Sequence, residues 1–363
     1  MSHISEKTNY YEKAKENNTL PKPALFGDDP GGGIFAGKAR PFVLAQAENN
    51  LWEGIRKDAI LYFNGFGKYA PVPPTQVKAP LSVKENITKK SMFWKPSGEK
   101  DIEGFVCQLP TAHTLSSQIA CINHLFPMID DKEAATCFLK GINEHVLEAL
   151  PVQIHEIENF VEFEVVGPGS YLNEERPGKE LTRGANCTSV DAVMRGRTDK
   201  GDILFLIEWK YTEEYHGHKT QYNQERWQRY SSFFTKDNTP FLFSLNKKRK
   251  DFAFWEALFT EPFYQLMRQT LLGHRMAQDM RQIGCVETVE HIIVVPDANE
   301  GYREKSVPQY FKAKKVEEAW NKLVKRKAHF YTPAVLFQYM RTKLNDRQAW
   351  FDYLSQRYWE YSK

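Results

Sequence analysis

Between Ser189 and Thr212 the hydrophobic rhythm of the chain changes sharply. Ser189 to Gly196 and Asp202 to Thr212 read as the two arms of a β-hairpin. The polar segment Arg197-Thr198-Asp199-Lys200-Gly201 separates them, with glycine where a turn wants positive φ. In the second arm, Ile203-Leu204-Phe205-Leu206-Ile207 is apolar without alternation, which predicts a strand covered on both faces in the middle of a sheet. That strand ends in Glu208-Trp209-Lys210. Side chains alternate along a strand, so Glu208 and Lys210 share one face and Trp209 takes the other. With a turn centred on Asp199-Lys200, Asp191 lies directly across from Glu208. A turn one residue longer would misplace Asp191 unless a bulge restored the register.

Helical periodicity predicts a helix from Thr114 to Leu125, closed by Pro127, and another from Asp131 to Leu150, ended by Pro151. Ile157 to Val166 alternates and reads as a first strand, with Phe160, Glu162 and Glu164 on one face; either Glu162 or Glu164 would lie near the hairpin and add a carboxylate there, the alternative being a solvent-facing strand edge, which fits Glu162 better than Glu164. Lys219 to Phe234 predicts a helix with Trp227, Tyr230 and Phe234 as its apolar stripe. Phe241 to Leu245 is strand-like. Phe254 to Met267 reads as a helix broken at Pro262, followed by a helix from Leu271 to Gln282. His291 to Pro296 is a second buried-strand signal. Val316 to Phe330 predicts the most basic helix of the chain, and Thr332-Pro333 is a helix-opening pair. The aromatic C-terminus predicts a helix that must be buried against something.

Residues 1 to about 40 read as a polar arm, Pro41 to Phe63 as an amphipathic helix, and the prolines near 70–80 as a linker. Gly31-Gly32-Gly33 lacks the Gly-Lys-Ser/Thr ending of a phosphate loop and reads as a plain loop. The expected organisation is an N-terminal arm and helical extension over 1–110, a core over 111–300, and a helical extension over 301–363 packed on that core. The formal net charge is only +3, so contact with nucleic acid would rest on local basic patches, not a global field. Five cysteines, odd in number and without a CxxC pair, argue against a disulfide framework or structural zinc and fit a reducing cytoplasm. No signal peptide or bilayer-length apolar run is expected to place the chain at a membrane.

Charges at the end of a buried strand cost free energy unless something compensates them. A divalent cation compensates two carboxylates, and Mg²⁺ is typically held by one or two of them, with water and substrate phosphate completing its shell. A neighbouring lysine orients water and offsets charge developing on phosphate oxygens. An ordinary salt-bridged strand end is the alternative. The pattern Asp191…Glu208-Trp209-Lys210 resembles the signature of the PD-(D/E)XK nuclease superfamily, the restriction-endonuclease-like fold. Glu208 to Lys210 is the only Glu-x-Lys in the chain. Val190 stands where the superfamily usually has proline. The helix carrying Ser116-Ser117-Gln118 and the turn Val294-Val295-Pro296-Asp297-Ala298-Asn299 are similar to a bacterial group of predicted restriction endonucleases in that superfamily.

The resemblance implies an α/β fold with an αβββαβ core, a central mixed sheet flanked by helices, covering about half the chain. It implies Asp191, Glu208 and Lys210 as catalytic residues, with Asp191, Glu208 and the Trp209 backbone carbonyl holding Mg²⁺, for which Mn²⁺ can substitute. Gln118, Glu164 and Gln221 are the supporting candidates, against readings as a buried amide, a strand-edge carboxylate and a helix-surface polar group. Arg183, Lys219 and Arg226 are candidates for contact with nucleic acid, against a solvated surface. His113 and His124 read as structural or capping, and His216 and His218 as loop residues. The expected activity is metal-dependent cleavage of DNA in bacterial defence, with RNA still open. A homodimer or defence-system protein is the expected partner. The competing reading is a non-catalytic nucleic-acid-binding or scaffolding subunit of a defence or repair complex.

Overall fold

A computed structural model describes residues 95–100, 106–109 and 117–359, apart from 153–158, 166–170, 175–187, 212, 214, 216–219, 237–238, 244–250, 283–285 and 298. The strands are β1 (Lys95–Lys100), β2 (Val106–Leu109), β3 (Glu148–Leu150), β4 (Val161–Val165), β5 (Val190–Thr198), β6 (Gly201–Trp209), β7 (Thr288–Val294) and β8 (His329–Tyr331). The α-helices are α1 (Ser117–Leu125), α2 (Lys132–Ile142), α3 (Gln224–Ser231), α4 (Phe252–Leu258), α5 (Phe263–Gln282), α6 (Val316–Asn321), α7 (Pro333–Leu336), α8 (Gln338–Lys343) and α9 (Gln348–Leu354).

β1 and β2 form a separate two-stranded antiparallel ladder. The other six strands make one mixed sheet. β5 and β6 are its antiparallel central hairpin; β3 and β4 both pair with the outer edge of β5 at different points. β7 runs parallel to β6, and β8 parallel to β7. This is the mixed α/β architecture of a restriction-endonuclease-like fold.

Thr198 faces Gly201, so Asp199 and Lys200 form a two-residue loop, and pairing runs closer to the turn than the apolar pattern alone implies. Gly201 has φ +129, a conformation that side-chain-bearing residues rarely adopt. The Thr198 hydroxyl donates to the Gly201 carbonyl at 2.7 Å, which closes the loop.

Alternation along β6 divides the interior in two. Ile203, Phe205, Ile207 and Trp209 enter a core that α1, α2, α7, α8 and α9 cover. Leu204 and Leu206 enter the other, beneath α3, α4, α5 and α6. The aromatic C-terminus is buried on the first face. Asn123 of α1 donates to the Tyr358 hydroxyl at 2.7 Å, and the Trp359 indole donates to His124 Nε2 at 3.0 Å. His124 is therefore structural. On the second face α5 lies close against the sheet, because Gly273 has no side chain. A Cβ there would stand 2.6 Å from Leu206 Cδ1 and 3.1 Å from Val289 Cγ1.

Several elements depart from the periodicity, three of them where an asparagine side chain bonds nearby backbone. The helix expected to reach Leu150 stops at Ile142. Asn143 is extended there and its side chain accepts the His145 N–H at 3.1 Å, a bond that competes with helix; β3 follows. The helix expected from Lys219 begins only at Gln224, because Asn223 caps it by accepting from the Arg226 N–H at 2.8 Å. The basic helix expected over Val316–Phe330 ends at Asn321. Its amide bonds both the N–H (2.9 Å) and the carbonyl (3.0 Å) of Ala328, folding the lysine-rich stretch into a loop before β8. Pro262 does break the chain between α4 and α5, but α5 then runs unbroken to Gln282. Glu162 is buried at 1% exposure, which rules out the solvent-facing alternative for it.

Candidate active site

β5 and β6 hold their ladder from the turn as far as Ala192 opposite Ile207. One residue further the same register faces Asp191 with Glu208. Here the pleat breaks: Val190 and Val193 both enter the second core, which simple alternation forbids. At the break the Asp191 side chain takes over from the backbone ladder, its Oδ2 accepting the Trp209 N–H at 2.7 Å. The N–H and C=O of one strand residue lie on the same edge, so the Trp209 carbonyl also lies on the edge toward Asp191. The Trp209 ring is buried in the opposite core, its centroid 4.4 Å from that of His124. That anchor leaves Glu208 and Lys210 on the α5 face.

Glu208 and Lys210 are both buried, and the Lys210 ammonium donates to Glu208 Oε1 at 2.5 Å. Burying an ion pair costs several kcal/mol, on the order of its attraction, unless its remaining lone pairs are met. Two amides from α5 meet them. Gln265 Nε2 donates to Glu208 Oε1 at 2.8 Å, and Gln269 Nε2 donates to Oε2. Burial disfavours the Lys210 charge, but Glu208, Tyr215, Glu213 and Asp191 outweigh it and raise its pKa well above the ordinary value. Lys210 is thus a permanent cation at neutral pH.

The exit from β6 is clamped to the end of β7. The Lys210 N–H donates to the Val294 carbonyl at 2.8 Å. Buried Asn299 donates to the carbonyls of Tyr211 and Glu213, each at 3.1 Å. Tyr302 is buried beside Tyr215, ring centroids 6.0 Å apart, and its hydroxyl has no hydrogen-bond partner among the described residues. At the start of α5, Glu261 accepts the Gln265 N–H at 3.2 Å, and burial raises its carboxyl above the usual range despite Arg268 and Lys210.

Other expected site residues fall differently. Gln221 is not on a helix. Its N–H donates to the Phe259 carbonyl at 2.7 Å and its Oε1 accepts from Arg226 Nη1 at 2.5 Å, so the two candidates engage each other. Arg226 and Arg268 both lie over the Tyr264 ring, at 5.4 and 4.8 Å. Gln118 lies on α1 and Glu164 on β4, but their side chains are outside the described residues, as are Arg183, Lys219, His113, His216 and His218 altogether. Sequence reasoning missed Gln265, Gln269 and Arg268. A signal existed: Gln265, Gln269, Leu272 and Met276 follow i, i+4, i+7, i+11 spacing, an apolar-type stripe whose first two members are amides.

The chain matches, over residues 45–359, the family described as restriction endonuclease associating with ARP. It belongs to that restriction-endonuclease family. The match spans both cores of the sheet and the C-terminal segment that covers the first face. No curated protein and no solved structure matches the chain. For this restriction-endonuclease family member, no helix among the described residues is long and apolar enough to cross a membrane.

Proposed function

We propose that this chain is a metal-dependent endonuclease of the PD-(D/E)XK type that hydrolyses phosphodiester bonds in DNA. The observation that carries the reading is the convergence of Asp191, Glu208 and Lys210 where β5 leaves β6, inside a chain of a restriction-endonuclease family. The donor set fits a hard divalent cation. Both side chains are carboxylates, and Glu208 Oε2, which among the described residues accepts only from Gln269, keeps a lone pair for a further partner. Asp191, Glu208 and the Trp209 carbonyl would hold Mg²⁺, or Mn²⁺ in its place. Such an ion, when bound, supplies Lewis-acid stabilisation of the phosphate and an acidified water.

The protein's own groups do the remaining work. Lys210 holds a fixed positive charge beside the reacting phosphate and donates to the attacking water or a phosphate oxygen. Gln265 and Gln269 fix the Glu208 rotamer, so the carboxylate pays little reorganisation cost when substrate arrives. Arg226 and Arg268, both over the Tyr264 ring, would take the flanking phosphates. The family is described as associating with ARP, and we carry such an association over to this chain as part of the proposal. Bacterial defence in the cytoplasm is the setting that suits such an enzyme.

Plasmid cleavage by the purified protein with Mg²⁺ or Mn²⁺ tests the reading. Nicking or linearisation that disappears with EDTA and in Lys210→Ala is the expected result, with a loss of several orders of magnitude. Near-full cleavage by Lys210→Ala would sink the mechanism. Cleavage of RNA but not DNA would move the substrate class.

A further inference from the structure

The chain enters α5 through Glu261, a half-buried carboxyl to which the cleavage reading gives no role. One glutamine ties it to the candidate site. The Gln265 main-chain N–H donates to Glu261 Oε2 at 3.2 Å, and the Gln265 side-chain amide donates to Glu208 Oε1 at 2.8 Å. Glu261 and Glu208 are thus held by the two ends of a single residue. The charged groups around Glu261 are Arg268, Lys210 and Glu208, with the Tyr215 phenol beside them. Among the described residues no ion pair holds Glu261, and no donor meets its Oε1.

That setting favours the protonated carboxyl. Burial, reinforced by the Glu208 charge, holds Glu261 above the usual carboxyl range against Arg268, Lys210 and the Gln265 N–H. When a carboxyl is protonated, the oxygen that accepts an N–H keeps its carbonyl character, so the proton belongs on Oε1. Glu261 then presents an O–H donor that has no acceptor among the described residues. Lys210 and Glu208 serve the attacking water. Displacement at phosphorus also needs a proton at the departing sugar oxygen, which leaves poorly as a bare alkoxide.

We propose that Glu261 is the general acid of the cleavage, donating the proton of Oε1 to the leaving sugar oxygen. This rests on the cleavage reading and adds the group that assists departure. The water oxygen bonds to phosphorus as the bond from phosphorus to the sugar oxygen breaks, its electron pair staying on the sugar oxygen. The Glu261 proton moves to that oxygen and yields a free hydroxyl. The surplus proton of the water passes to solvent, and solvent returns a proton to the Glu261 carboxylate. A positioned acid of this kind contributes about 10²–10⁴-fold.

The test compares two linkages in duplex DNA, cut by the full chain with Mn²⁺. The first is an ordinary phosphodiester that the wild type cuts, whose product ends identify the leaving oxygen. The second is the same linkage with sulfur in place of that oxygen. A thiolate leaves without protonation, since an ordinary thiol has a pKa of about 8.5. Glu261→Gln keeps an oxygen for the Gln265 N–H but has no proton to transfer. Its thermal midpoint should match the wild type. It should cut the oxygen linkage at least about hundredfold more slowly, and the sulfur linkage at close to the wild-type rate. Infrared titration of the metal-free chain in EDTA, wild type minus Glu261→Gln, should show a carboxylic-acid band that persists above about pH 4.3, the ordinary glutamate value. Equal losses on both linkages, an unimpaired oxygen linkage, or the absence of that band overturns the assignment of Glu261 while the cleavage reading stands. A wild type that cuts no duplex removes the cleavage reading and the acid with it.

Discussion

Asp191 Oδ2 accepts the backbone N–H of Trp209 at 2.7 Å, so one carboxylate ends the β5–β6 ladder and at the same time stands at the edge of the sheet that carries the candidate site. The strand backbone and the proposed metal site are therefore coupled through a single side chain.

That coupling separates two substitutions. Asp191→Asn keeps an amide oxygen for the Trp209 N–H and removes the charge, whereas Asp191→Ala loses both. Urea unfolding should show Asp191→Asn near wild type and Asp191→Ala weaker by about 1.5–3 kcal/mol, the usual worth of a charge-assisted hydrogen bond. Calorimetric titration with Mn²⁺ should show binding abolished in both. Retained Mn²⁺ binding by Asp191→Asn would remove Asp191 from the ligand set.

Gln269→Leu conserves bulk but withdraws the donor from Glu208 Oε2. Part of the loss is offset, because the unmet Gln269 Oε1 goes with it. The net destabilisation expected is about 1 kcal/mol, while plasmid cleavage should fall at least about tenfold as the Glu208 rotamer loosens. Unchanged cleavage with lowered stability would make Gln269 purely structural.

Gly273→Ala sets two effects against each other. Alanine favours the helix by up to about 1 kcal/mol, but its Cβ would come within 2.6 Å of Leu206 Cδ1, and overpacking costs about 1–3 kcal/mol. Overpacking wins, and thermal unfolding should show a lower midpoint. A raised midpoint would mean that α5 and β6 separate without cost.

His291 makes stability depend on acid. Buried neutral in the fold with a pKa near 3, it ionises near 6.5 once unfolded. Its contribution is present in full above about pH 6.5 and is lost as the pH falls toward 3, a cost on the order of a few kcal/mol by pH 4. Urea midpoints between pH 7 and pH 4 should fall more steeply for the wild type than for His291→Leu. Parallel slopes would show that other groups set the acid limit.

Local pattern was enough for the hairpin of the candidate site. The unbroken apolar run from Ile203 to Ile207 demanded cover on both faces, the glycine at 201 allowed a two-residue loop, and period-2 alternation along β6 then put Glu208 and Lys210 on one face. Pro262 and the Thr332-Pro333 pair marked helix boundaries for equally local reasons. Where periodicity misled, at Asn143, Asn223 and Asn321, a single amide side chain bonded nearby backbone and overrode the helical pattern.

What encloses the site came from tertiary structure alone. Gln265 and Gln269 lie more than fifty residues beyond Glu208 and look locally like ordinary helix positions. They meet the carboxylate only because α5, with Gly273 permitting close approach, docks on the β6–β7 face. The pleat break that turns Asp191 toward Trp209 likewise depends on how strands splay. Residue type and spacing determine which groups share a strand face; only packing across long sequence separations determines which groups from elsewhere come to complete their bonds.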